Sequence, residues 1–107
     1  MAQSDTRQVL SLPMAELRQF FRALSSATRL RILGCLARTE EVNVTILAQG
    51  LRRSQPLVSW HLSVLRRAGL VQMRRVGRET LYSLKREKLD WYRGQFARLL
   101  DEPDNGD

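Results

Sequence analysis

The sequence predicts a mostly α fold with a small β-hairpin, about five helices and two strands, and three observations carry that prediction. Apolar residues recur at the helical period between residues 12 and 68 and again from 87 to 100. The period drops to two between residues 70 and 84, as half-buried strands require. Ser, Asn, Pro and Gly fall at the boundaries, where caps and tight turns need them.

With 107 residues the chain has the size of one domain, and a core so modest gains stability by pairing with a second copy. Residues 1–11 are expected to be disordered, 12–100 to form the domain, and 101–107 to be an acidic, mobile tail. No apolar run reaches the roughly 18 residues of a membrane span, and the first residues lack a secretory apolar core. A cytoplasmic protein with no membrane partner is therefore expected.

The first helix follows Pro13, with Leu17, Phe20, Phe21 and Leu24 on one stripe. Ser25 or Ser26 caps the second, where Leu30, Leu33 and Ala37, flanked by Ile32 and Leu36, are expected to be strongly buried. Cys35 lies in that helix and reads as a small core or semi-buried residue. It is the single cysteine, so neither an intrachain disulfide nor a cysteine metal cluster within one chain is available. Residues 39–42 read as a loop. Asn43 then caps a short helix from Val44 to about Gln49, ended by Gly50, and Leu51-Arg52-Arg53 has the length of the turn in a helix-turn-helix.

The fourth helix, about 54 to 68, has two distinct faces. Val58, Leu62 and Leu65 align on one side and belong to a core, while Pro56, Ser59, Trp60, Ser63 and Arg67 crowd the other. Ser54 can cap its first turn, Pro56 is tolerated there because the first N–H groups lack intrahelical partners, and Gly69 stops it. A small, polar, cationic outer face suits the major groove, where Gln, Ser and Arg pair with base edges. The plain alternative is a solvated face, against which Trp60 weighs, since an exposed aromatic opposite a buried stripe marks an interface.

Beyond Gly69, Val71 and Met73 alternate with Gln72 and Arg74, and Thr80, Tyr82 and Leu84 alternate with Glu79, Leu81 and Ser83. Val76-Gly77-Arg78 turns between these strands, so arginines flank the hairpin tip. The last helix, about 87 to 100, presents Leu89, Tyr92, Phe96 and Leu99.

Charge is concentrated in the same half. From Arg52 to Lys88 there are ten basic residues and only two acids, Glu79 and Glu87, whereas the whole chain carries a formal +7. The rest of the sequence is thus close to neutral, and the basic block has the footprint of a phosphate-backbone binder. Catalysis is not expected. His61 is the single histidine and has no Ser or Asp partner in the pattern, and no phosphate-cradling glycine loop occurs.

Three runs together resemble the ArsR/SmtB family of bacterial winged helix-turn-helix repressors: Phe21-Arg-Ala-Leu-Ser-Ser-Ala-Thr-Arg-Leu-Arg-Ile-Leu33, the stretch from Ser54 to Val71, and Gly77-Arg78 leading to Tyr82-Ser83-Leu84. The resemblance implies a homodimer built on the first and last helices, through Leu17, Phe20, Phe21, Leu24, Tyr92, Phe96 and Leu99. It also implies a recognition helix at about 54–68, a wing at about 70–84 and repression through an inverted-repeat operator in double-stranded DNA. Carried over by position, Gln55, Ser59 and Trp60 would face bases, His61 would lie at the helix edge and Thr45 would reach a phosphate. Arg52, Arg53, Ser54, Pro56, Ser63 and Arg67 complete the contact set around the helix, and Arg74, Arg75 and Arg78 would serve the DNA backbone.

The family's signal-sensing residues do not carry over. Its metal sensors hold a Cys-Val-Cys segment where this chain has Val42-Asn43-Val44-Thr45, and its last-helix His and carboxylate pairs have no counterpart here. No metal or other cofactor is expected, the acids of the tail reading as solvated. What controls the protein is left open among an organic small-molecule effector between helices, a regulatory partner protein, and a metal site of unusual ligands at the dimer interface. Arg52 and Arg53 stand where the family often has Gly and an apolar residue. The alternative function is a winged-helix protein-interaction module whose basic face binds an acidic partner.

Overall fold

The computed structural model describes residues 2–101, with side chains from residue 6 onward. The expected mobile tail lies, beyond Asp101, outside the described residues. A helix α1 covers Ala2–Leu10, where disorder was expected. This stretch has no Gly or Pro to interrupt it, and Ser11 closes its last turn by donating from N–H to the Arg7 carbonyl and from Oγ to the Gln8 carbonyl. Its described side chains are exposed.

Helix α2, Met14–Leu24, starts directly after Pro13 and buries Leu17, Phe20 and Ala23. Helix α3, Ala27–Ala37, is capped by Ser26, whose hydroxyl accepts from the Arg29 N–H at 3.2 Å. Its buried stripe differs from the expected one. Ile32 and Leu36 are fully buried together with Arg29, while Leu30 is 53% exposed and Ala37 and Cys35 also face outward. The helix is rotated because Arg29, a residue that hydropathy assigns to solvent, finds three acceptors in the interior.

The residues expected to form a plain loop contain a two-residue strand β1, Val42–Asn43. Asn43 then caps α4, Val44–Leu51, by accepting from the Ile46 N–H at 2.8 Å. Gly50 does not end α4. It lies inside the helix, and the left-handed residue that ends it is Arg52, at φ 56° and ψ 44°. Helix α5 follows as Gln55–Arg67, with the Ser54 hydroxyl accepting from the Leu57 N–H at 3.3 Å. Gly69, at φ +78°, stops it in a Schellman arrangement: its own N–H reaches the Arg66 carbonyl at 2.9 Å, and that of Leu70 reaches Leu65 at 3.0 Å.

Strands β2, Val71–Val76, and β3, Glu79–Leu84, pair antiparallel with Val76 opposite Glu79, which leaves Gly77-Arg78 as a two-residue turn. Gly77 takes φ +61° and Arg78 does not share that sign, the pattern of a type II′ hairpin. β1 adds to the far side of β3, so the sheet has three strands in the order β1-β3-β2. Helix α6, Arg86–Leu100, returns to α2. There Tyr92 stacks on Phe20 at 4.4 Å between ring centroids and donates its hydroxyl to the Ala68 carbonyl at 2.8 Å. That bond pins the sharp end of α5 to the last helix, and burial pushes the Tyr92 hydroxyl above its ordinary pKa.

Candidate nucleic-acid interface

Val58, Leu62 and Leu65 are fully buried, and seating these three contributes about 5–9 kcal/mol of transfer free energy before chain entropy is counted. That anchor fixes which side of α5 remains outside. Gln55, Pro56 and Arg67 are exposed, Trp60 is 54% exposed, and Ser59 and Ser63 are half-buried along the same face. Pro56, Ser59, Trp60, Ser63 and Arg67 therefore share one surface, as the helical wheel requires, and Gln55 lies at its N-terminal edge.

Two contacts position this surface. Thr45 of α4 donates to the Gln55 amide oxygen across 3.4 Å, tying the first turn of one helix to the first turn of the next. Ser63 donates to the Trp60 carbonyl at 2.6 Å and accepts from Arg67 at 3.4 Å, so its hydroxyl is committed within the helix. Arg52 and Arg53 are exposed in the turn between α4 and α5, and Ser54 is occupied as the cap. Ile46, 57% exposed on α4 next to Thr45, adds an apolar side chain to this surface that the sequence pattern does not reveal. An isoleucine in an otherwise apolar short helix carries no mark of exposure.

His61, expected at the helix edge, is buried. It is 9% exposed, and its Nδ1 lies 3.1 Å from Arg29 Nη1. A guanidinium only donates, so Nδ1 accepts and the imidazole is neutral. Desolvation lowers the His61 pKa, and the adjacent Arg29 charge lowers it further.

On the hairpin the three arginines divide. Arg74 makes a bidentate ion pair with Glu41, at 2.6 and 2.7 Å, so its fork is already engaged, and the same pairing lowers the Glu41 pKa. Arg75 and Arg78 are exposed and free to meet an outside anion. Arg74 and Arg75 also point to opposite faces of β2, because side chains alternate along a strand.

The residues expected at a self-association face divide as well. Leu17, Phe20 and Tyr92 belong to the chain's own core. Phe21 and Phe96 meet edge-to-face at 4.9 Å and stay 40% and 37% exposed, with Leu24 and Leu99 half-buried on the same helices. Stripe position alone could not separate these sets, since one helix face serves both. Among the described residues no group of three or more His, Cys, Asp or Glu side chains gathers, and no helix is long and apolar enough to cross a membrane.

Comparison with known proteins places this geometry. A family model described as a helix-turn-helix domain matches residues 24–74. A transcriptional repressor SmtB homolog of Synechocystis sp. is 44% identical over 78 residues, which are 72% of this chain and 58% of that protein. The arsenic resistance transcriptional regulator ArsR1 of Pseudomonas putida is 34% identical over 95 residues, 89% of this chain and 70% of the relative. Among solved structures, an ArsR-like transcriptional regulator from a Rhodococcus species superposes with a TM-score of 0.74 at 35% identity, covering 80% of each chain.

Proposed function

The chain belongs to the ArsR/SmtB family of winged helix-turn-helix transcriptional regulators, and from that premise we propose that it is a homodimeric, sequence-specific DNA-binding repressor. The observation that carries the reading is the outer face of α5, where Gln55 and Trp60 are exposed and Ser59 is half-buried between them on a helix anchored by three buried side chains. In this reading α5 enters a major groove, Thr45 reaches a phosphate at its edge, and Arg75 and Arg78 of the hairpin hold the flanking backbone. The exposed pair Phe21 and Phe96 supports self-association through α2 and α6. A two-fold pair of α5 helices would then meet half-sites about 34–36 Å apart.

Selection from a random duplex pool tests this directly. An inverted repeat should be enriched, and Gln55→Ala should weaken binding to it by about tenfold or more while leaving bulk DNA nearly unaffected. Arg78→Ala should weaken all duplexes alike and reduce the salt slope by about one. A pool that stays unenriched while every duplex binds equally would leave only charge-driven attraction.

A further inference from the structure

Three helices bring three arginines to a single cleft. α2 supplies Gln19 and Arg22, α3 supplies Arg29, and α5 supplies Trp60, Val64 and Arg67, around a cavity of about 280 Å³. Arg29 is the innermost. It is 9% exposed, and it donates from Nε to the Ala23 carbonyl at 2.6 Å, from Nη2 to the Arg22 carbonyl at 3.3 Å and from Nη1 to His61. A guanidinium carries five N–H bonds, so one remains on each terminal nitrogen of a group that lines the cavity.

None of those partners is an anion. The two carbonyls belong to the C-terminal turn of α2, whose dipole offers at most about half a negative charge. Among the described residues the ion pairs are Arg74 with Glu41, Lys88 with Glu16 and Arg93 with Asp90, and none involves Arg22, Arg29 or Arg67. A buried cation with two further cations at its rim is costly without a counter-charge. Gln19 Nε2 donates to the Arg67 carbonyl at 3.0 Å and ties α2 to α5 beside the cleft. Trp60 stands beside it, its ring centroid 5.9 Å from Arg29 Cζ.

We propose that this cleft is an oxyanion site that takes a phosphate group, with Arg29 as the inner ligand and Arg22 and Arg67 as the outer ones. Planar forks suit phosphate oxygens, and the volume lies just below that of sites for drug-sized ligands, so the phosphate enters with little attached. Two sources share that chemistry: a free phosphate-bearing small molecule, and a backbone phosphate of a duplex lying along α5. The first stands whether or not α5 reads DNA. The second rests on that reading.

Trp91→Phe leaves Trp60 as the one indole and turns it into a reporter of the cleft. Inorganic phosphate, added at constant ionic strength with chloride as the control, should change Trp60 emission saturably, and Arg22→Gln with Arg67→Gln should weaken that response at least tenfold. A backbone phosphate predicts instead that Arg22→Gln lowers the salt slope of non-specific duplex binding by about one, whereas Arg18→Gln, on the same helix but outside the cleft, lowers it less. Either result supports the site and identifies its source. A phosphate response that survives the double variant overturns the assignment, because the anion then sits elsewhere. Absence of both effects overturns it too, whether or not the duplex binds.

Discussion

The hairpin and the α2–α3–α5 cleft each hold three arginines, yet only the cleft buries one of them, Arg29, while Arg22 and Arg67 at its rim are as exposed as the hairpin's three. On the hairpin the guanidiniums stand in water, and the one that is paired, Arg74, meets Glu41 with its own side chain 62% exposed. In the cleft Arg29 is buried and bonded to two backbone carbonyls and a histidine, and among the described residues no carboxylate pairs with it. A tally of basic residues counts the two groups equally. Their physical worth differs, since exposed charges are screened and additive whereas a desolvated one is tied to structure.

The largest expected difference lies in stability. Arg29 satisfies the last turn of α2 and ties it to α5, so Arg29→Met should cost about 2–4 kcal/mol through acceptors left without donors. Arg75→Met on the hairpin should stay within about 0.5 kcal/mol, as is usual for a surface change. Urea midpoints of the two variants measure the contrast directly. Equal losses would erase it.

A pH dependence just below neutrality should follow from His61, bonded to Arg29 of the cleft, and not from the hairpin. The His61 pKa is lowered by desolvation and then by Arg29, so the unfolded chain binds the proton more readily than the folded one. Stability should therefore be level near pH 7 and fall as the pH drops below about 6.5, the ordinary histidine value, with a slope of at most about 1.4 kcal/mol per pH unit. Glu41, whose pKa is lowered by Arg74, loses its contribution only below its unfolded value of 4.5, which separates the two windows. His61→Gln should flatten the curve between pH 6.5 and 5. If the decline persisted in that variant, the proton would be going elsewhere.

The same contrast explains how much was legible from the sequence. Helix α5 was readable at its ends and along its core stripe, because its cap, apolar stripe and terminal glycine are local signals that the structure repeats at Ser54, at Val58, Leu62 and Leu65, and at Gly69, whereas the burial of His61 against Arg29 was not. Its outer face followed from the wheel alone. Helix α3 was misread because the burial of Arg29 depends on Ala23, Arg22 and on His61, 32 positions away. β1 was missed because two residues are too few to show a period. The left-handed Arg52 ends α4 where Gly50 was expected to, since a non-glycine residue at positive φ leaves no compositional trace. The pairing of Arg74 with Glu41 spans 33 positions and was equally hidden, so the hairpin seemed to offer three free arginines where it offers two.

That pairing sets the smallest expected effect. Arg74 and Glu41 form a well-aligned bidentate pair, yet both reach solvent, so Glu41→Gln should move the unfolding midpoint very little and less still at high salt. What it should change is the charge on offer. With its carboxylate partner neutralised, Arg74 becomes available to a phosphate on its own face of β2, and duplex affinity at low salt should rise by no more than about threefold, with a slightly steeper salt slope. Fluorescence anisotropy of a non-specific duplex across a salt series reads both quantities. A fall in affinity would mean that Glu41 positions the hairpin through Arg74, and a charge midway along β2 would then be tied to structure much as Arg29 is.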